Sequence, residues 1–591
     1  MIKFTRRDFL KVSALSFCTL VVSTGITACS SSSNSTNVSF LHGVASGDPL
    51  TNSVIIWTRL TPSDSIDELN LNYEVSKSDT FATLSHSGSL TTKKTEDYTV
   101  KIDLQNLEEN TVYYYRFKSN NKISIVGKTK TLSSSPSQVK FAVFSCSNYP
   151  NGYFNSYNEV SKIEDIDVVL HLGDYIYEYG MYEKDGITPA YATNNAVSIN
   201  RVLEKDNDTE LLTLDDYRKR YAIYHTDEGS ISIHKNLPFI TIWDDHEVAN
   251  DIYKDGAQNH DSTEGDFETR KLAALQAYFE WLPIRPVVQD NDEIIYRSFD
   301  FGNLVSLHML DTRIIGRDIQ LDYSNYFDDL GNFDQSTFIS DMSDSSRSMI
   351  GNEQLSWLQG KLASSSAKWQ VLGQQVLMGK MFLPAELLTL IVQLNADLTS
   401  EQKIAVLTQL NTVLVELVTI KTRILQGDTT VSTEESVRLT TVLPYNLDAW
   451  DGYSYEREVL YATIRNLGKN VVVLAGDTHN SWANELKDNN GNNIAVEFAT
   501  TSVTSPGMEE YAGLSTKEIA MQFEGAITLL IDDLKYTNLN QRGYLIVEFN
   551  ENEAIATWNY IDNVNSTSYS LDETRKKQLK TVLGNKTIQS V

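Results

Sequence analysis

The chain has 591 residues, 41% hydrophobic and 22% charged, with a formal net charge of −28. This composition is that of a globular protein with ample material for large cores, and the length suggests two to four domains. A body this acidic repels nucleic acid backbones, and it repels any anionic substrate unless bound cations reverse the local sign.

The N-terminus reads as an address. Thr5-Arg6-Arg7-Asp8-Phe9-Leu10-Lys11 has the paired arginines and following Phe-Leu-Lys of a twin-arginine export signal. The weakly apolar stretch 12–28 is too short and too rich in Ser and Thr for a transmembrane helix. Ile26-Thr27-Ala28-Cys29 resembles a lipobox. Residues 1–28 are therefore expected to be removed, with a lipid on Cys29 tethering the protein to a membrane. The expected location is periplasmic or cell-surface, reached through the twin-arginine export machinery. The Ser-rich stretch 29–37 is a flexible tether.

Residues 38–135 carry short alternating runs such as Ser53-Val54-Ile55-Ile56-Trp57-Thr58 and Tyr98-Thr99-Val100-Lys101-Ile102, separated by turn residues. Leu107-Glu108-Glu109-Asn110-Thr111-Val112-Tyr113 resembles the tyrosine-corner segment of fibronectin III-like sandwiches. An N-terminal β-sandwich is the expectation.

From Lys140 apolar strands alternate with helical or loop stretches, the texture of an α/β domain, here bounded at 139–562. Four strands end in residues able to bind metal. Phe141-Ala142-Val143-Phe144 leads to Cys146, and Val168-Val169-Leu170-His171-Leu172 to Gly173-Asp174-Tyr175-Ile176-Tyr177. Phe239-Ile240-Thr241-Ile242-Trp243 leads to Asp244-Asp245-His246-Glu247, and Val471-Val472-Val473-Leu474-Ala475 to Gly476-Asp477-Thr478-His479. Sites in such folds gather beyond the carboxyl ends of strands.

Residues 383–440 show helical apolar spacing with little turn chemistry and read as a helical insertion, a lid or an interaction surface. The polar tail 563–591 is expected to hold a helix around 571–583.

With the leader removed, Cys146 is the sole thiol of the body, so no intramolecular disulfide is possible there. A solitary cysteine is either a small core hydrophobe or a ligand. Context has to decide between the two. Asp174 and Asp477 suit hard cations and can bridge two of them. Tyr177 offers a phenolate for ferric iron, and Cys146 a thiolate. His479, two residues past Asp477, can point to the same side of an extended segment. Of adjacent Asp245 and His246, one can bind metal while its neighbour faces substrate.

The ordered set resembles the calcineurin-like metallophosphatase pattern, with departures: Cys146 at the first strand end, Asp245 where Asn is usual, and Asp477 where a His is usual. Those departures resemble the PhoD-like alkaline phosphatase family. Further matches are His42-Gly43-Val44-Ala45-Ser46-Gly47-Asp48-Pro49, Ala277-Tyr278-Phe279-Glu280-Trp281-Leu282-Pro283-Ile284-Arg285, Leu310-Asp311-Thr312-Arg313, and the segment Glu497-Phe498-Ala499-Thr500-Thr501 through Gly507. The resemblance implies a fold in which the sandwich precedes a four-layer αββα metallophosphatase domain. It implies hydrolysis of phosphate monoesters or diesters by a metal-activated hydroxide, with Fe3+ and Ca2+, two calcium ions being expected. Carried over residue by residue, the metal set is Cys146, Asp174, Tyr177, Asp245, Asp477 and His479, with His246 as general acid or hydrogen-bond donor. Asn250 and Asp244 are candidate additions to a calcium shell, and Arg313 is either a phosphate contact or a structural ion pair. Gln374 and Gln375, which fall where related enzymes place a histidine, are left out of the metal set, and His171 reads as a core histidine. A monomer is expected. The competing function is a surface-tethered binding lipoprotein with a vestigial metal site.

Overall fold

The computed structural model describes residues 37–591 apart from 290, 329–332, 395–397 and 515. The export motif, Cys29 and most of the Ser-rich tether lie outside the described residues.

Three parallel strands, Gln138–Phe144, Val168–Leu172 and Pro238–Ile242, stand side by side in a ten-stranded mixed sheet. They are near-continuous runs of apolar residues because both faces of the sheet are covered. A seven-stranded sheet lies against it, with Trp369–Gly373, Val471–Ala475 and Asn493–Ala499 parallel at its centre. Alternation decides which residues meet. Val371, Val472, Leu474, Val496 and Phe498 share one core with Phe141, Val143, Leu545 and Val547 of the larger sheet. Their neighbours Leu372, Val473 and Ala475 face the other way, onto Leu358 and Leu362 of helix Gly351–Ser364 and Leu460 and Ile464 of helix Ser454–Leu467. The result is the expected four-layer αββα arrangement.

The N-terminal sandwich is not walled off. Its five-stranded sheet packs Leu69, Leu71, Val75, Tyr115 and Phe117 against Val44, Val54, Ile56, Val100 and Leu104. Those partners belong to Val44–Gly47, Val54–Arg59 and Thr99–Leu104, which are the last three strands of the ten-stranded sheet, joined through Val44–Gly47 and Pro238–Ile242. Gly47 sits at this seam because a Cβ there would collide with the carbonyls of Pro283 and Phe239. Next to it Asp48 takes the Arg297 guanidinium at 2.8 Å and the Arg285 backbone N–H at 2.7 Å, and the Trp57 indole donates to the Glu280 carbonyl at 2.8 Å. The motifs around residues 42–49 and 277–285 thus stitch the two regions together. The Tyr113 hydroxyl accepts the Glu108 N–H at 2.9 Å, a tyrosine corner.

The helical insertion comprises Ala385–Leu394, Ser400–Leu425 and Thr433–Thr440, rooted on the paired strands Phe382–Pro384 and Val442–Pro444. The long helix starts on a capping box formed by Thr399 and Gln402, and buries Leu410, Leu414, Leu417 and Ile420. The tail corrects the expectation of a helix. Lys577–Val582 is a strand paired antiparallel with Glu553–Ile561, and Leu579 and Thr581 are buried. A run rich in Lys, Gln and Leu has good helix propensity, but an open sheet edge and two inward-facing side chains outweigh it.

Candidate metal centre

All four loaded strand ends converge. Phe144 pairs with His171 and Leu172 with Ile242, so the three parallel strands of the large sheet stop level with one another. Their loops are crowded. A Cβ on Gly173 would overlap Asp244, and one on Gly476 would meet the Ser145 side chain. Cys146 (φ 61°), Asp174 (φ 55°), Asp477 (φ 62°) and His479 (φ 62°) all hold the left-handed backbone conformation that side chains avoid. Four strained residues in one cluster of chemistry-bearing side chains mark a site where the surrounding fold imposes geometry. Glu247 staples the loops: its carboxylate accepts the backbone N–H groups of Asp174 at 3.1 Å, Tyr175 at 2.5 Å and Asp244 at 2.7 Å. Burial and nearby Asp174 push its pKa up to about 8.

Three overlapping triads have ligand atoms within 4.8 Å of one another: Cys146–Asp174–His479, Asp174–Asp245–His246, and Asp244–Asp245–Asp477. Asp174 and Asp245 each belong to two. The Tyr177 hydroxyl donates to Asp174 Oδ2 at 3.0 Å and lies 3.2 Å from His479 Nε2, so the phenol sits inside the first triad. Every residue of the expected metal set is therefore in one continuous cluster.

Its electrostatics are those of a site built for cations. Burial, then Asp174, raises the Cys146 thiol and the Tyr177 phenol well above their ordinary ranges. Burial also raises Asp244 and Asp477, with neighbouring carboxylates adding to the effect against the pull of Arg313. Burial opposes ionisation of Asp245 too, but Arg313, His246 and backbone amides hold it below the ordinary carboxylate range. Asp174 Oδ1 and Asp244 Oδ2 are buried with no hydrogen-bond partner. Buried orphan carboxylate oxygens are costly unless something positive meets them. Thiol, phenol, imidazole and carboxylates in contact are also a donor set that both a ferric and a hard divalent cation can use. The residues fit bound cations.

His246 is buried and its Nδ1 lies 2.8 Å from Glu178 Oε2. Burial disfavours its charge, yet Asp245, Glu178 and Asp174 raise its pKa well above the ordinary value. Glu178 itself accepts the Asn250 backbone N–H at 2.7 Å and the Asn259 side-chain amide at 2.8 Å. The Asn250 side chain donates to Gln258. Arg313 is wholly buried. Its Nε pairs with Asp244, its Nη1 with Asp448 at 2.7 Å and its Nη2 with Asp477 at 2.9 Å. All three of these nitrogens face carboxylates. Gln375 is a brace, donating to the Trp243 carbonyl at 2.6 Å and accepting from the Thr312 hydroxyl at 2.6 Å. Gln374 accepts the Trp450 indole N–H at 2.7 Å, and His171 Nε2 meets the Tyr157 hydroxyl at 2.8 Å.

Sequence reasoning missed Glu178, Asp448, Ser505 and Tyr191. The Ser505 hydroxyl donates to the Tyr177 oxygen at 2.6 Å, and the Tyr191 hydroxyl lies 3.2 Å from His479 Nδ1. Glu178 left a signal, sitting in the same loop as Asp174 and Tyr177, and Ser505 lies in the matched segment 497–507.

Two stacked mixed sheets between helical layers, with acidic, imidazole and thiol groups gathered at the strand ends, define a phosphoesterase of the metallophosphatase class. A family model described as PhoD-like phosphatase matches residues 141–558, and the model for the N-terminal domain of that family matches residues 26–133. The chain is 34% identical over 531 residues to alkaline phosphatase D of Bacillus subtilis (strain 168), covering 85% of this chain and 77% of that protein. It is similar to a solved structure of PhoD with a TM-score of 0.71 at 28% identity, over 93% of this chain and 92% of that one. The chain belongs to the PhoD-like phosphatase family, and it is a hydrolase of phosphoric esters. That membership favours a working hydrolase over a binding protein with a vestigial centre.

Proposed function

We propose that the chain is an exported phosphoesterase whose Cys146, Asp174, Tyr177 and His479 hold Fe3+, while Asp174, Asp244, Asp245 and Asp477 hold Ca2+, two ions being the proposed number. The observation that carries this reading is the sharing of Asp174 between a triad with a thiol and imidazole and a triad rich in carboxylate. Bound there, such cations supply charge neutralisation for a phosphoryl group and activation of a water. The remaining work falls to the chain. Glu178 fixes the His246 ring through Nδ1, which leaves Nε2 to hand a proton to the leaving oxygen as the ester P–O bond breaks. Arg313 holds the carboxylates of Asp244 and Asp477 apart and in register. Ser505 fixes the Tyr177 oxygen, and Tyr191 with the Pro506 carbonyl fixes His479 through Nδ1.

The paired arginines Arg6-Arg7 and the lipobox ending at Cys29 support export by the twin-arginine route and a lipid anchor, with the protein in the periplasm or on the cell surface. Elemental analysis and a visible absorption spectrum test the centre, because ferric thiolate or phenolate colours a protein. Cys146→Ser should bleach or shift the band and lower turnover about a hundredfold. A colourless, iron-free protein with full activity would remove iron from the site. Chromogenic monoesters and diesters assayed side by side test the substrate class, and turnover of neither would overturn the hydrolytic reading.

A further inference from the structure

One wall of the centre is aromatic. Tyr177 and Tyr179 project to one side, both rings packing against His246 and Tyr191. A single buried guanidinium clamps both: Arg220 Nη1 donates to the Tyr177 carbonyl and, at 2.7 Å, to the Tyr179 carbonyl. Tyr177 points into the metal cluster. The Tyr179 ring is one step further out, its centroid 5.4 Å from the His246 imidazole. The Tyr191 ring lies 5.6 Å from Tyr179 and 6.3 Å from His246, nearly parallel to that imidazole at 8°. Tyr177 and His246 are buried, whereas Tyr179 and Tyr191 are only half-buried. The same loop goes on to expose Tyr182, Ile187 and Val197, the last two at 80% and 71%. In a chain of net charge −28, aromatic rings packed beside the proton donor stand out chemically, although the loop beyond them also exposes Glu183, Lys184 and Asp185.

We propose that Tyr179 and Tyr191 form a stacking platform for the leaving group, selecting phosphate esters whose leaving alcohol carries a planar aromatic ring. This deepens the hydrolytic reading and rests on His246 as the proton donor. The oxygen that receives the proton must lie against His246, so its substituent extends over rings centred 5.4 and 6.3 Å from that imidazole. Stacking needs no hydrogen-bond match, so such a platform accepts aryl and heteroaromatic rings alike and discriminates against saturated groups of equal size. The Arg220 clamp holds the platform before substrate arrives, which limits the ordering cost of binding.

The test compares benzyl, cyclohexylmethyl and ethyl phosphates with the metal-loaded protein. The three alcohols are similar in acidity, and the first two in size. The wild type should favour benzyl over cyclohexylmethyl phosphate by about three- to tenfold in kcat/KM. Tyr179→Ala should collapse that ratio toward one, through KM, and Tyr179→Phe should keep it. Equal rates for the first two esters in the wild type, or a ratio that survives Tyr179→Ala, would overturn the platform. Benzylphosphonate and cyclohexylmethylphosphonate give a second readout on the wild type by calorimetry, free of any folding defect. Tighter benzyl binding supports the platform and equal binding overturns it. If none of the three esters is hydrolysed, the hydrolytic reading falls while the phosphonate pair still decides the platform.

Discussion

Asp174 and Tyr175 are consecutive in one loop, yet they face two buried polar clusters of opposite character. On the Asp174 side stand Cys146, Tyr177, Asp245, His246 and His479, with orphan carboxylate oxygens on Asp174 and Asp244. On the Tyr175 side the phenol hydroxyl meets His234 Nε2 at 2.8 Å, His225 Nε2 at 3.3 Å and Ser230 Oγ at 3.4 Å. The rings there pack face and edge, His225 and His234 lying 5.3 Å apart at 20°. Both clusters are buried and rich in titratable groups. The first concentrates negative charge that its own hydrogen bonds do not neutralise, in strained backbone. The second is neutral: His234 Nδ1 is also left without a partner, but no charge is stranded there. Burial of polar groups alone does not distinguish a site from a brace; uncompensated charge together with strain does.

The largest separation between the two sides should come from Asp174→Asn. Asp174 serves two of the three triads, so both metals should be lost and turnover should fall by at least about a thousandfold. Metal-free stability should hold steady or rise, since a carboxylate is removed from a crowd of carboxylates. Elemental analysis, kcat and thermal unfolding in chelator check the three parts together; a variant that keeps its metals would break the assignment of Asp174 as the shared ligand.

Arg313→Met probes the same side from behind. It leaves the carboxylates of Asp244, Asp448 and Asp477 without their buried cation. In chelator the protein should lose about 3–5 kcal/mol of stability, and calcium should restore more of that loss than it adds to the wild type. Equal melting temperatures for the two proteins in chelator would show that the guanidinium is not what holds these acids together.

On the other side, Tyr175→Phe removes one hydroxyl from a neutral cluster. It should cost about 1–3 kcal/mol of stability, by leaving imidazole nitrogens of His225 and His234 unpartnered. Turnover at a temperature where the variant is folded should remain close to wild type, because Glu247 holds the loop through backbone amides. A thousandfold fall in turnover here would erase the distinction between the two clusters.

The four strand ends were legible because their chemistry is local: an apolar run, then a ligand-bearing tip, repeated four times, with each glycine demanded by a crowded loop. The α/β texture was legible in the same strands, and the αββα layering only through the family resemblance that their tips carried. What stayed hidden depends on partners far apart in sequence. Glu178 becomes a support for His246 only when residues 178 and 246 meet. Arg313 could not be placed behind the carboxylates without knowing that Asp244, Asp448 and Asp477 surround it. The seam at Gly47 was invisible because the strands Val44–Gly47 and Val54–Arg59 alternate as any sandwich strand does, whichever sheet they join. The terminal strand Lys577–Val582 was misread because its conformation is set by the edge it completes.

The smallest effect per unit of change comes from pH, and it also separates the two sides. His225 is buried and neutral, its pKa lowered to about 3 by burial alone. Burial also takes His234 well below its ordinary value, with His225 and His171 adding to the shift. The unfolded chain binds a proton at each of these imidazoles near pH 6.5, and the folded one does not. Between the two values the unfolded state therefore holds more protons, so stability rises with pH. The contribution is complete above about pH 6.5 and drains away as pH falls toward the folded values, by about 1.4 kcal/mol per pH unit for each histidine. The raised carboxylates of Asp244, Asp477 and Glu247 contribute the opposite sign, so the slope is read as a difference between wild type and a histidine variant, both metal-free, from pH 7 to pH 5. Replacing His225 by Gln, which keeps a neutral hydrogen-bonding side chain, should remove one histidine's share. A slope unchanged in His225→Gln would mean that His225 is not held neutral by burial, and would remove it from the neutral cluster.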